Sequence, residues 1–174
     1  MKKLLSLLIT AFLMQAAYSQ AENDSTNLLK VGDDMPEFIL TSIDGKTLSS
    51  DDLYGKVVLV NFYATWCAPC NLEMPFIEKD IWAKYRDNKD FELVIIDREE
   101  KAEKIRPFVE KKKWAMPFYL DEKKEVYSQF ATKFIPRNYL FDREGTLVLN
   151  TRGYSKEDFD MLKKEIEAQL KREH

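Results

Sequence analysis

Cysteine and histidine are the scarce residues of this chain: 174 residues contain two cysteines and one histidine, the terminal His174. A structural zinc site takes four ligands, as two cysteine pairs or one pair with two histidines, so no donor set for it exists. A c-type haem site is excluded too, because Asn71 and not histidine follows the second cysteine. Positive charge is short of blocks. Lys111-Lys112-Lys113 is the single basic run, and it ends an amphipathic stretch. With a net charge of −3 and a pI near 5.4, the chain offers no basic face to nucleic acid. Long apolar runs are equally rare: beyond the N-terminus none approaches the ~20 residues of a membrane helix. There is no internal repeat and no low-complexity tract.

The N-terminus has the chemistry of a secretion signal. Lys2 and Lys3 supply the charged start, and Leu4 to Ala17 is apolar apart from Ser6, Thr10 and Gln15. Small residues then allow cleavage after Ser19 or Ala21. The expected organisation is a signal peptide over residues 1–19, a polar flexible leader over 20–30, and one domain over 31–174. Cleavage would leave a soluble periplasmic protein; an uncleaved leader would anchor it to the membrane.

Both cysteines lie in Trp66-Cys67-Ala68-Pro69-Cys70. The preceding Val57-Val58-Leu59-Val60-Asn61-Phe62-Tyr63 reads as a buried strand. The following Leu72, Phe76, Ile77, Ile81, Trp82 and Tyr85 recur at helical spacing, which predicts a helix over about 68–86 with Pro75 kinking it. The pair therefore sits where a strand hands over to a helix. Amide N–H groups at a helix start stabilise a thiolate and lower its pKa, so Cys67 is the expected nucleophile and should be partly exposed. A structural disulfide at this spacing would close a tiny loop and constrain little of the unfolded chain. The context reads as a redox pair.

Elsewhere, Phe38–Leu40 and Lys46–Leu48 flank an Asp-Gly turn and predict a hairpin. Strands are expected over 91–96, 117–120, 137–142 and 146–152, and helices over 101–113, 122–131 and from Ser155 onward. Strands alternating with helices, followed by a hairpin and a helix, fit a mixed sheet with helices on both faces.

From about Val31 onward the chain resembles the TlpA/ResA group of extracytoplasmic thiol-disulfide oxidoreductases. The resemblance rests on the Trp-Cys-Ala-Pro-Cys motif, Glu73 and Pro75, Asn61, Ile135-Pro136, and the lead-in Gly32-Asp33-Asp34-Met35-Pro36-Glu37-Phe38 with Asp44-Gly45-Lys46. It implies an α/β thioredoxin-like fold: a central mixed β-sheet flanked by helices, with an added N-terminal β-hairpin. It also implies a Cys67–Cys70 dithiol/disulfide cycle without cofactor or metal. Cys67 attacks a substrate disulfide, and Cys70 resolves the mixed disulfide.

Glu73, three residues after Cys70, is the candidate proton acceptor for Cys70; thioredoxins instead carry an Asp at the position of Asn61. Ile135–Pro136 is implied to be a cis bond against the disulfide, with its backbone open to an extended substrate segment. Trp66 would shield the disulfide and offer a flat contact. Pro136 is followed by Arg137 and Asn138, where that group more often has small polar residues. The expected partners are disulfide-containing proteins, apocytochrome c among them, and a membrane electron donor of the DsbD/CcdA type. Two alternatives lack residues that they need. A thiol peroxidase needs Pro and Thr where Val60 and Ala64 stand. A copper-binding module needs a histidine beside the cysteines.

Overall fold

Val57–Tyr63 places seven buried residues in succession. Such a run leaves neither face for water, so it belongs at the centre of a sheet covered on both sides. The computed structural model, which describes residues 24–172, puts it there. The expected signal peptide and residues 20–23 of the leader lie outside the described residues.

The strands are β1 (Ile39–Ser42), β2 (Thr47–Ser49), β3 (Val57–Tyr63), β4 (Phe91–Arg98), β5 (Phe118–Asp121), β6 (Arg137–Phe141) and β7 (Leu147–Arg152). They form one sheet in the order β2-β1-β5-β4-β3-β6-β7. β3, β4 and β5 run parallel, and the other pairings are antiparallel. Parallel neighbours need crossovers, which helices supply. Helix α1 (Ala68–Tyr85) joins β3 to β4, α2 (Ala102–Lys112) joins β4 to β5, α3 (Tyr127–Phe130) precedes β6, and α4 (Lys156–Lys171) comes last. The β1–β2 hairpin extends the sheet beyond β5, as expected from the Asp-Gly turn.

Strand alternation sorts the core into two layers. Val57, Leu59 and Tyr63 join Leu93 and Ile95 under α1, α2 and α4, whose Met74, Ile77, Ile105, Phe159, Leu162 and Ile166 are buried with them. Val58, Val60 and Phe62 face the other way with Val94, Ile96 and Tyr139, against Phe38, Leu40, Leu53, Tyr127 and Phe130.

Two helices depart from the sequence pattern. α1 starts as Ala68–Phe76, widens to π geometry over Ile77–Trp82 and closes as Ala83–Tyr85. Pro75 has no N–H to donate, and the turn after it is the one that widens. The helix expected over 122–131 shrinks to the single turn α3. Lys124 takes a left-handed φ of 62°, which breaks a helical path. The Asp121 carboxylate accepts the N–H of Val126 at 3.2 Å and of Tyr127 at 2.7 Å, which fixes the helix start at that point.

From Asp24 onward the leader is fastened to the domain. Asn27 bridges to Ala131, the Leu28 N–H donates to the Phe130 carbonyl at 2.9 Å, and the Thr132 N–H donates to the Thr26 carbonyl at 2.9 Å. The cause is Arg137, which opens β6 and is wholly buried. A buried guanidinium needs a counter-charge. Asp24 supplies it at 2.9 Å and also holds Arg152 at 3.0 Å, while the Arg137 Nε donates to the Lys133 carbonyl at 3.0 Å.

Burial opposes ionisation of Asp24, but bonds from Thr26 and Arg137 outweigh it and hold its carboxyl below the usual range. Asp24→Ala should therefore destabilise the protein by about 3 kcal/mol in urea unfolding at pH 7, the low end for an orphaned buried charge. A depressed folded pKa gives stability that is present above the ordinary aspartate pKa and lost as pH falls through the lowered one. The difference between parent and variant should shrink as pH falls below the ordinary aspartate range. A loss under about 0.5 kcal/mol at pH 7 would show that the latch contributes little.

Candidate active site

β3 ends at Tyr63, and four residues later Cys67 caps α1. Its sulfur accepts the Cys70 N–H at 3.2 Å, and Pro69 sits in the first turn, where a missing N–H costs nothing. Cys67 and Cys70 are joined as a disulfide, with Cα atoms 5.3 Å apart. Cys70 is fully buried. Cys67 is only 3% exposed, less than its position suggested. The segment that leads into β6 accounts for the difference: the Ile135 carbonyl lies 3.6 Å from the Cys67 sulfur, and Pro136 is buried behind it. In the disulfide this is a contact; on reduction, the Cys67 thiol gains an acceptor there. The Ile135–Pro136 bond is cis, as the resemblance implied.

Glu73 is 1% exposed, one helical turn beyond Cys70 on the same face. It is held by two amides. Asn138 Nδ2 donates to it at 2.7 Å and Asn61 Nδ2 at 3.1 Å. Asn61 also donates to Asn138 Oδ1 at 2.8 Å, and Asn138 to Thr151 Oγ1 at 3.2 Å. Burial pushes the Glu73 carboxyl up to about 7, against the two amides, which favour its ionised form. Asn61 Oδ1 has no donor. The site thus holds a carboxyl that changes charge near neutral pH, beside a buried cysteine.

The mouth of the site is apolar. Trp66, next to Cys67, is 56% exposed, and Phe134, next to the half-buried Ile135, is 55% exposed. The Arg98 guanidinium lies 5.6 Å from the Trp66 ring centroid and 4.6 Å from that of Tyr127, which steadies the Trp66 ring. Trp66, Ile135 and Pro136 thus gather around the disulfide with Cys67, Cys70 and Glu73. Arg137 does not join them: it points through the opposite face of the sheet to Asp24.

Three features escaped the sequence reading. Asn138 alternates with Leu140 on β6 and faces the helix layer; a polar residue at such an inward position was the available signal. Asn71 receives the Tyr63 hydroxyl at 2.9 Å and donates to the carbonyls of Thr65, at 2.9 Å, and Cys67, at 3.0 Å. Glu100 accepts the N–H of Thr65 at 2.6 Å and its hydroxyl at 2.8 Å, and pairs with Lys104. Beside it, Asp97 is wholly buried at the end of the apolar strand β4.

Comparison with known proteins agrees with this geometry. A family profile described as Redoxin matches residues 30–170. The thiol-disulfide oxidoreductase ResA of Bacillus cereus is 28% identical over 160 residues, covering 92% of this chain and 85% of that one. The thioredoxin-like protein YneN of Bacillus subtilis is 34% identical over 143 residues, covering 82% and 79%. Among solved structures, a candidate protein disulfide isomerase from Bacteroides thetaiotaomicron superposes with a TM-score of 0.82 at 42% identity, covering 84% of this chain and 94% of that one. A candidate thiol:disulfide interchange protein DsbE from Chlorobium tepidum gives 0.74 at 29% identity, covering 82% and 99%. With a strand-to-helix cysteine pair, a buried carboxyl behind it and these relatives, the chain belongs to the Redoxin family and is a ResA-like thiol-disulfide oxidoreductase of thioredoxin fold.

Proposed function

We propose that the protein is an exported reductase of protein disulfides, acting in the periplasm and kept reduced by a membrane electron donor of the DsbD/CcdA type. The observation that carries the mechanism is Glu73, a buried carboxyl poised near neutrality one turn from the resolving cysteine. The Cys67 thiolate, favoured at the helix start, attacks a substrate disulfide. One substrate sulfur leaves as a thiolate, and the other stays bonded to Cys67. Cys70 then attacks the Cys67 sulfur, its proton passing to Glu73, and the second substrate thiolate leaves. The substrate gains two electrons and the Cys67–Cys70 disulfide forms. The donor returns the two electrons.

Three observations support the direction, the compartment and the substrate. Among the described residues the Cys67 sulfur meets the Cys70 N–H and the Ile135 carbonyl and no cationic side chain, whereas strong oxidants need a heavily stabilised thiolate. The charged and apolar N-terminus has the pattern of an export signal. The apolar mouth of Trp66, Phe134 and Ile135 suits an extended polypeptide, with apocytochrome c the partner that the resemblance to the ResA group suggests.

Cys70→Ser in the native host tests the substrate class. Mixed disulfides should accumulate on Cys67 with exported proteins, apocytochromes among them. A variant that traps nothing, or traps only cytoplasmic proteins, would sink the reading.

Glu73→Gln tests the acid. It should leave attack by Cys67 nearly intact and slow resolution by Cys70 by about 10²-fold, the usual loss with a general base. Stopped-flow tryptophan fluorescence separates the phases, and equal resolution rates would remove Glu73 from the mechanism. The same variant has a stability signature. A carboxyl whose folded pKa is raised favours folding below its unfolded pKa, and that advantage is lost as pH rises through the folded value. The parent should therefore weaken between about pH 4.5 and pH 7 by about 3 kcal/mol, and Glu73→Gln should not. A stability difference independent of pH across that window, in the oxidised proteins, would refute a buried titrating Glu73.

A further inference from the structure

Beyond the disulfide cycle, the mechanism leaves unused one buried polar cluster beside the site. Asp97 is fully buried, and neither of its carboxyl oxygens receives an N–H or O–H donor. The carboxyl of Glu100 stands beside it, close enough for its charge and a shared proton to favour the neutral form of Asp97. Two carboxylates cannot hydrogen-bond unless one keeps a proton. Glu100 is the ionised member, because the Thr65 N–H, the Thr65 hydroxyl and Lys104 all donate to it. Asp97 is therefore the member that keeps the proton and donates.

This pair holds the loop that presents the attacking sulfur. Thr65 precedes Cys67 by two residues. Glu100 grips its N–H and hydroxyl, and the Asn71 amide grips its carbonyl and that of Cys67. We propose that Asp97 and Glu100 act as a proton-sharing pair that positions Cys67 through Thr65, so that the reach of the attacking sulfur depends on the shared proton.

The surroundings set where that proton is lost. Tyr63 faces the pair from β3, its hydroxyl held by the neutral Asn71 of α1, and Lys104 faces it from α2, while the register partner on β5 is the uncharged Leu120. Burial first, then the charge of Glu100 and its bond, push the Asp97 carboxyl up to about 9, with Lys104 opposing. Burial opposes ionisation of Glu100, but the bonds from Lys104 and Thr65 bring it below the usual range. Loss of the Asp97 proton to hydroxide would put two negative charges in one poorly solvated site. Glu100 then turns toward Lys104 and solvent and releases Thr65. Both members are positioning residues; neither touches the reacting sulfurs.

The inference rests on Cys67 being the nucleophile, and its two experiments separate the claims. In the oxidised protein, where neither cysteine titrates, carboxyl-selective carbon NMR should show Asp97 titrating near pH 9. A midpoint below about pH 8 would overturn the pair. In the reduced protein, the rate of Cys67 alkylation by iodoacetamide is followed from pH 5 to pH 10. The parent should show an alkaline inflection beyond the thiolate plateau. Asp97→Asn, whose amide still donates to Glu100, should lose that inflection. Asp97→Leu, which cannot donate, should lower the rate about threefold or more across the range. Superimposable profiles for parent and Asp97→Asn would overturn the positioning role. Preferential labelling of Cys70 would overturn the assignment of Cys67 itself, a result distinguishable because the carboxyl titration does not depend on it.

Discussion

The register of β3 against its two neighbours decides where each polar group of the site falls. Asn61 pairs with Asn138 on β6, and Tyr63 pairs with Asp97 on β4. Side chains alternate along a strand, so a slip of one residue would turn Asn61 and Asn138 away from Glu73. A slip of β3 against β4 would likewise carry Thr65, two residues past β3, away from Glu100, which follows β4. Register in turn depends on burial: β3 has no exposed residue, and its two faces carry different apolar sets, each matched to a separate layer. The core thus enforces the alignment that the chemistry uses.

Arg137, Glu73 and Asp97 are all buried around this frame, and each is accommodated differently. Arg137 cannot give up its proton, so it is met by Asp24, and the N-terminal segment is drawn against β6 as a result. Glu73 is met by two amides, which orient it without supplying full charge and leave it able to titrate near neutrality. Asp97 is met by another carboxyl and keeps its proton. Arg137 and Asn138 are adjacent in β6 and point to opposite faces, one into the latch and one into the site. A single strand therefore ties the leader to the redox centre.

The cysteine pair, its placement between strand and helix, the N-terminal hairpin and the mixed sheet were all legible in the sequence, because each is written in local pattern: spacing, alternation and turn chemistry. Glu73 was legible as a candidate through its spacing from Cys70. Its burial was not, since a glutamate on a helix is ordinarily solvated and only the approach of β3 and β6 covers it. The short α3 was hidden for a similar reason: the Asp121 carboxylate and the left-handed Lys124 override a stretch with reasonable helical pattern.

What the sequence determined by itself was the reactive unit, two sulfurs at a helix start after a fully apolar strand, because that arrangement is local and follows from strand burial and helix capping. What only the tertiary structure decided was the environment of those sulfurs. The Ile135 carbonyl and Pro136 that cover Cys67, the amides that hold Glu73, and the carboxyl pair behind Thr65 come from segments distant in sequence. Their effect depends on distance and exclusion of water, and neither exists until the sheet is assembled.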